Sequence, residues 1–240
     1  MNETSNNEER QPPADASLPA GVGSKFHADG TVRRFPGNTI LCHLPTDSAL
    51  RGPLAALWQT LDSSPLEPLY SLLPASSWHM TVFEGVCDEI RAPGRWPSDL
   101  SAAAGLADCH ALFESKLAGF DPRIDPPLRI TVAGWQPLNE GIALSLEPAT
   151  PTENARLRDL RDRLSDLLKI RAPQHDSYEF HLSIGYLMRR PDAADKAQLM
   201  ALLAEALERM PKTFELGVPE YCRFENMFAF EKLFFLGGKA

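Results

Sequence analysis

Two stretches of the chain carry a histidine followed two positions later by a hydroxyl residue, each within an otherwise apolar run. They are Trp78-His79-Met80-Thr81-Val82-Phe83 and Phe180-His181-Leu182-Ser183-Ile184-Gly185. Histidine is the side chain whose charge changes near neutral pH. Two facing histidines can therefore divide proton transfer. One, neutral, removes a proton from an attacking hydroxyl or water, and the other, protonated, gives a proton to a departing oxygen. The hydroxyls of Thr81 and Ser183 can each donate a hydrogen bond to a non-bridging phosphoryl oxygen, where charge builds in the transition state. This is phosphoester chemistry that requires no metal. A 2′,3′-cyclic phosphate suits it, because its strained ring opens by in-line attack. Residue types and spacing leave open which histidine is acid and which is base.

The spacing alone is a cheap signal in a chain with six histidines. A third match, His175-Asp176-Ser177, is flanked by Gln174 and reads as a loop. The flanks distinguish the other two. Side chains alternate across a β-strand, so Trp78, Met80 and Val82, or Phe180, Leu182 and Ile184, bury one face. The opposite face then presents His79 with Thr81, or His181 with Ser183. By the same alternation Phe83 joins the presented face, where it could stack a base or simply pack, and Tyr186 joins the buried one. His27, His43, His110 and His175 read as incidental.

These strands need elements to hold them. Residues 1–20 are polar and proline-bearing and are expected to form a disordered tail, followed by a single bilobal domain over 21–240. Residues 21–36 read as a loop with tight turns at Gly23 and Asp29-Gly30. Its Lys25, Arg33 and Arg34 could approach an anion, Lys25 being retained as a substrate-binding candidate. A strand is expected at 39–44, a helix capped by Asp47 running to about Leu61, and the first motif strand at 77–83. A helix is expected from Ser98 to Leu117, then a hairpin of 128–135 with 142–146 turning at Asn139-Glu140-Gly141. Thr150-Pro151-Thr152-Glu153 is a capping box opening a helix with Leu157, Leu160, Leu164, Leu167 and Leu168 on one stripe. The second motif strand follows at 178–187, then a helix capped by Asp192, then strands at 221–228 and 232–236. Strands and a long helix thus precede a motif strand in each half, which predicts an α+β fold of two similar lobes sharing a cleft.

Composition narrows the partners. A net charge of −8 argues against wrapping a long nucleic-acid duplex, yet allows a small phosphate ester or an RNA end in a locally neutral cleft. The four cysteines show no paired spacing, so neither a metal site nor a disulfide framework is expected. With no apolar run long enough for a membrane span and no basic, apolar leader, a cytoplasmic, monomeric protein is the default.

The paired stretches resemble the signature of the two-histidine (2H) phosphoesterase superfamily, which includes 2′-5′ RNA ligase-like proteins and cyclic nucleotide phosphodiesterases. The resemblance spans roughly residues 38–236. It implies pseudo-symmetric lobes with antiparallel sheets and flanking helices, metal-independent catalysis without a cofactor, His79 and His181 as acid and base, and Thr81 and Ser183 as phosphate ligands. The glycine-rich opening loop and the acid-rich tail before it lie outside that pattern and suggest a divergent, bacterial branch, which leaves the substrate open. The expected activity is phosphodiesterase action on a 2′,3′-cyclic phosphate or a 2′-5′ or terminal RNA phosphodiester. The rivals are a non-catalytic nucleotide- or phosphate-binding module using the same cleft, and a metal-dependent hydrolase built on Asp176 or Glu179.

Overall fold

A computed structural model describes residues 18–238. Most of the expected N-terminal tail, residues 1–17, lies outside the described residues. The strands are β1 (Gly37–His43), β2 (Tyr70–Leu72), β3 (His79–Cys87), β4 (Leu128–Trp135), β5 (Gly141–Pro148), β6 (His181–Leu187), β7 (Thr213–Leu216), β8 (Glu220–Asn226) and β9 (Ala229–Phe235). The helices are α1 (Arg51–Asp62), α2 (Leu106–Leu117), α3 (Pro151–Leu168) and α4 (Ala193–Glu208). The strands form two antiparallel sheets, one ordered β3-β1-β8-β9 and the other β2-β6-β5-β4-β7. Each sheet contributes one motif strand, and β3 packs against β6 where the sheets meet. The fold is α+β, as expected. Among the described residues no helix is long and apolar enough to cross a membrane.

The helices form where local chemistry starts them. Thr150 Oγ1 accepts from the Glu153 amide at 3.1 Å and Pro151 begins α3. Leu157, Leu160, Leu164 and Leu168 are fully buried along its inner face. Asp192 caps α4 through the Asp195 amide at 2.8 Å. Two helix starts differ from expectation. Helix α1 begins at Arg51 behind Leu50, without a side-chain cap. Pro53 falls in its first turn, where amides have no intrahelical partner to lose. Helix α2 begins at Leu106, not Ser98, with the Asp108 carboxylate accepting the Gly105 amide at 3.0 Å. Strand β7 lies outside the expected elements. Its four residues alternate exposed and buried and pair with β4, too short a run to stand out by period.

Both motif strands are bulged at corresponding points. In β3, Ile40 of β1 lies opposite Phe83 while its neighbour Leu41 lies opposite Thr81, so Val82 is the extra residue. In β6, Ile142 of β5 lies opposite Gly185 while Ala143 lies opposite Ser183, so Ile184 is extra. An extra residue reverses the facing of everything beyond it. A second irregularity follows in β3 around Gly85, whose φ is +67°. A Cβ there would come within 2.1 Å of the Asn38 carbonyl oxygen, so only glycine fits. Gly119 has a similar φ of +76° but open space around it. Gly119→Ala should therefore cost only ~1–2 kcal/mol, the left-handed backbone penalty, whereas Gly85→Ala should cost ~3 kcal/mol or more by displacing β1 from β3. Urea unfolding of both variants checks this; equal losses would mean that the close approach to Asn38 constrains nothing.

Candidate active site

Each motif histidine is oriented by the backbone just before its own strand. His79 Nδ1 lies 2.6 Å from the Ser77 carbonyl oxygen, and His181 Nδ1 lies 3.0 Å from the Glu179 carbonyl oxygen. A carbonyl only accepts, so Nδ1 carries the hydrogen and donates. In the neutral ring this leaves the lone pair on Nε2. The two anchors occupy the same position, two residues before the histidine. The residue between anchor and histidine, Trp78 or Phe180, is buried and fixes the rotation of the chain there. Met80, Val82, Leu182 and Ile184 are also buried.

His79, Thr81, His181 and Ser183 line one cavity of about 370 Å³. Burial pushes the His79 imidazolium down to a pKa of about 4, with the neighbouring His43 and His181 adding to the effect and the Ser77 carbonyl opposing it. His79 is therefore neutral at pH 7. The ring edge of Phe230 covers it at 4.3 Å between centroids. His43 pairs with His79 across β1 and β3, with ring centroids 6.3 Å apart, and its Nδ1 lies 2.8 Å from Glu220 Oε2. Far from being incidental, His43 forms the rear wall of the His79 position.

The bulges redistribute the residues beyond the motifs. Phe83, expected on the presented face, is 2% exposed; its ring closes the cavity floor. Glu84 takes the open face instead and binds Arg161 Nη2 at 3.1 Å and Gln174 Nε2 at 3.1 Å. Tyr186, expected to be buried, faces the cavity. Lys25 Nζ donates to its hydroxyl at 3.2 Å. Arg34 instead pairs with Glu225 on the surface, and neither it nor Arg33 lines the cavity.

Arg161 is the residue that pattern reading passed over. It is 1% exposed on α3. Its Nη1 donates to the Val82 carbonyl at 2.6 Å, at the bulge, and Nη2 reaches Glu84 and, at 3.4 Å, the His175 carbonyl. Its guanidinium also lies 3.9 Å over the Tyr178 ring. The signal was present: a charge one turn from Leu157 on an otherwise apolar stripe needs a buried partner. Tyr178 lies beside Thr81, and burial and Glu84 push its phenol pKa up, so it stays a hydrogen-bond donor. His175, the rejected match, is buried with Nε2 at 3.0 Å from Asp162 Oδ1, and it forms part of the cavity wall.

Two clusters among the described residues bring metal-ligating atoms together: His43, Glu220 and Cys222, and Asp162, His175 and Asp176. Neither contains a motif histidine. In the second, Arg171 bonds both carboxylates and takes the place of a cation. Glu179 serves the site through its carbonyl.

Residues 25–140 match the family model 2H-phosphodiest, described as a domain of unknown function (DUF1868). The match includes the first motif strand and ends before the second. A crystal structure of a conserved protein of unknown function from Agrobacterium tumefaciens strain C58 is 28% identical, covers 91% of this chain and 93% of its own, and superposes with a TM-score of 0.83. A Thermus thermophilus protein is more distant, at 16% identity over 85% of this chain and all of its own, with a TM-score of 0.44. No curated protein matches the sequence.

Because His79 is neutral when folded but binds a proton below pH 6.5 when unfolded, the unfolded state holds more protons between pH 6.5 and about 4. Stability from this group is thus lost as pH falls through that window, by up to about 3 kcal/mol. His79→Gln should lose less stability than the wild type between pH 7 and 4.5 in urea titrations. Parallel losses would show that His79 is not desolvated.

Proposed function

We propose that this chain, whose residues 25–140 match the 2H-phosphodiest family model, is a phosphodiesterase that opens a 2′,3′-cyclic phosphate or cleaves a 2′-5′ or terminal RNA phosphodiester. The observation carrying this reading is the matched anchoring of His79 and His181, each by the carbonyl two residues upstream, on strands of the two different sheets that line one cavity together with Thr81 and Ser183. Two imidazoles presenting Nε2 to one space, with a hydroxyl donor beside each, suit a phosphorus centre with an attacking oxygen on one side and a leaving oxygen on the other.

The neutral state of His79 assigns it the base role, which leaves the acid role to His181. His79, neutral at rest, takes the proton from water through Nε2 as the water oxygen bonds to phosphorus. The ester bond to the leaving oxygen breaks, and His181 Nε2–H supplies the proton that oxygen needs. The product is a phosphomonoester, and the next turnover begins once His79 has given up its proton and His181 has regained one. Thr81 and Ser183 donate to the non-bridging oxygens, the Tyr178 phenol supporting Thr81. A bound phosphodiester anion raises the affinity of His79 for its proton, so a weak base in the empty site strengthens when substrate arrives. No step in this scheme uses a metal.

The test is hydrolysis of the four nucleoside 2′,3′-cyclic phosphates, a 2′-5′ dinucleotide and an RNA ending in a cyclic phosphate, in excess chelator. His79→Ala and His181→Ala should each lower kcat by about 10²–10⁴-fold while remaining folded. The acid limb of kcat/KM should fall near pH 4, where free His79 gains its proton. Near-wild-type turnover by either variant would refute two-histidine catalysis. Wild-type protein that turns over none of these substrates yet binds 3′-nucleotides would instead be a binding module.

A further inference from the structure

Lys25 comes from the glycine-rich opening loop, yet it lines the same cavity as the two histidines. The loop is a built element. Phe26, fully buried, packs on Tyr186 with centroids 5.1 Å apart and on Phe228 at 6.0 Å. The Lys25 amide donates to the Gly21 carbonyl at 2.9 Å, and its carbonyl accepts from Arg33 at 2.8 Å. The ammonium is thus placed by a rigid backbone: 3.2 Å from the Tyr186 hydroxyl, 4.8 Å from the Tyr186 ring centroid and 5.7 Å from that of Phe35.

This lysine lacks what a half-buried cation in an acidic protein normally acquires. Among the described residues, Lys116 with Asp99 is the one lysine ion pair within 4.0 Å, although the chain carries 32 acidic residues. Lys25 has three donors, and the Tyr186 hydroxyl accepts from one. Aromatic faces stabilise a cation but do not neutralise it. The remaining donors border the cavity. Tyr186 lies three residues beyond Ser183 on β6, so the two backbones are roughly 10 Å apart along the strand. The ammonium is held through Tyr186, near the end of β6 opposite to His181. Phe224, Phe230 and Tyr186 line the same cavity, apolar walls suited to a base or ribose.

We propose that Lys25 reads a second phosphoryl group on the substrate, so that the preferred substrates are cyclic phosphates carrying a further phosphate and not simple cyclic nucleosides. The inference rests on the phosphodiesterase reading and names the substrate class within it. The second phosphate has two sources, a 5′-monoester on the same nucleotide or the internucleotide diester of an RNA end.

The experiment compares kcat/KM for adenosine 2′,3′-cyclic phosphate, its 5′-phosphorylated analogue and a dinucleotide ending in a 2′,3′-cyclic phosphate. The wild type should favour one or both phosphorylated substrates by about ten- to hundredfold, the effect of one charge-assisted contact. Which one it favours identifies the source. Lys25→Met, which keeps length and packing, should collapse that ratio towards one; Lys25→Arg should keep most of it. A wild-type ratio near one, or a ratio unchanged in Lys25→Met, overturns the proposal. Calorimetry with adenosine 3′,5′-bisphosphate and adenosine 3′-monophosphate separates this from the underlying reading. If no substrate turns over, the phosphodiesterase assignment fails. Lys25 is then judged by whether the bisphosphate's tighter binding disappears in Lys25→Met; if the two ligands bind wild type equally, the proposal fails too.

Discussion

A backbone carbonyl stands behind each histidine, and the rest of the site depends on those two bonds. An imidazole free to rotate about its side-chain torsions would present either nitrogen. Donation from Nδ1 to the Ser77 or Glu179 carbonyl settles both ring orientation and tautomer at once. The bond can form only if the chain turns into the strand at the histidine itself. On the first side a short 3-10 turn at Ala75–Ser77 makes the turn; on the second an irregular segment before β6 does. In both, a buried aromatic at the intervening position prevents the turn from slipping. A hydrogen bond to the main chain also has an advantage over one to a carboxylate. It orients the ring without adding a negative charge that would repel a phosphate.

The bulges are the second constraint. Without them, alternation would turn Glu84 and Tyr186 away from the cavity that both line. With them, the presented face after the motif passes to Glu84 on one strand and Tyr186 on the other. An extra residue leaves backbone groups unpaired, and at β3 the Val82 carbonyl is satisfied by the buried Arg161. Arg161 therefore joins helix α3, the bulge and the His175 segment through one guanidinium. Glu84 offsets its charge, and that carboxylate is then committed to Arg161 and Gln174. A carboxylate on the cavity wall is thereby tied up before it can oppose an anionic ligand.

How much of this was legible in the sequence follows from the range of each interaction. The motif strands, the Thr150 and Asp192 caps, the leucine stripe of α3 and the turns at Gly23 and Gly30 are set by residues within a turn of one another, and they were readable. The bulges were not. They depend on how β1 and β5 pair with the motif strands, and so alternation places His79 with Thr81 but puts Tyr186 on the buried face, whereas it lines the cavity. Arg161 stays hidden because Val82 and Glu84, the groups that tie it to the motif strand, lie 79 and 77 residues away, although a charge on a leucine stripe is a visible anomaly. His43 and His175 looked incidental because nothing near them in sequence reveals that one packs behind His79 and the other walls the cavity.

Both imidazoles commit Nδ1 to the backbone, which leaves Nε2 for the phosphate of the proposed reaction. Long-range nitrogen–proton spectra of ¹⁵N-histidine-labelled protein at pH 7, with and without adenosine 3′-monophosphate, test this most directly. The account predicts that His79 is the Nδ1-protonated tautomer when free, and that the nucleotide shifts Nε2 of both His79 and His181 while their Nδ1 signals stay nearly fixed. Protonation of His79 at Nε2 in the free protein, or a nucleotide response in only one of the two rings, would contradict it.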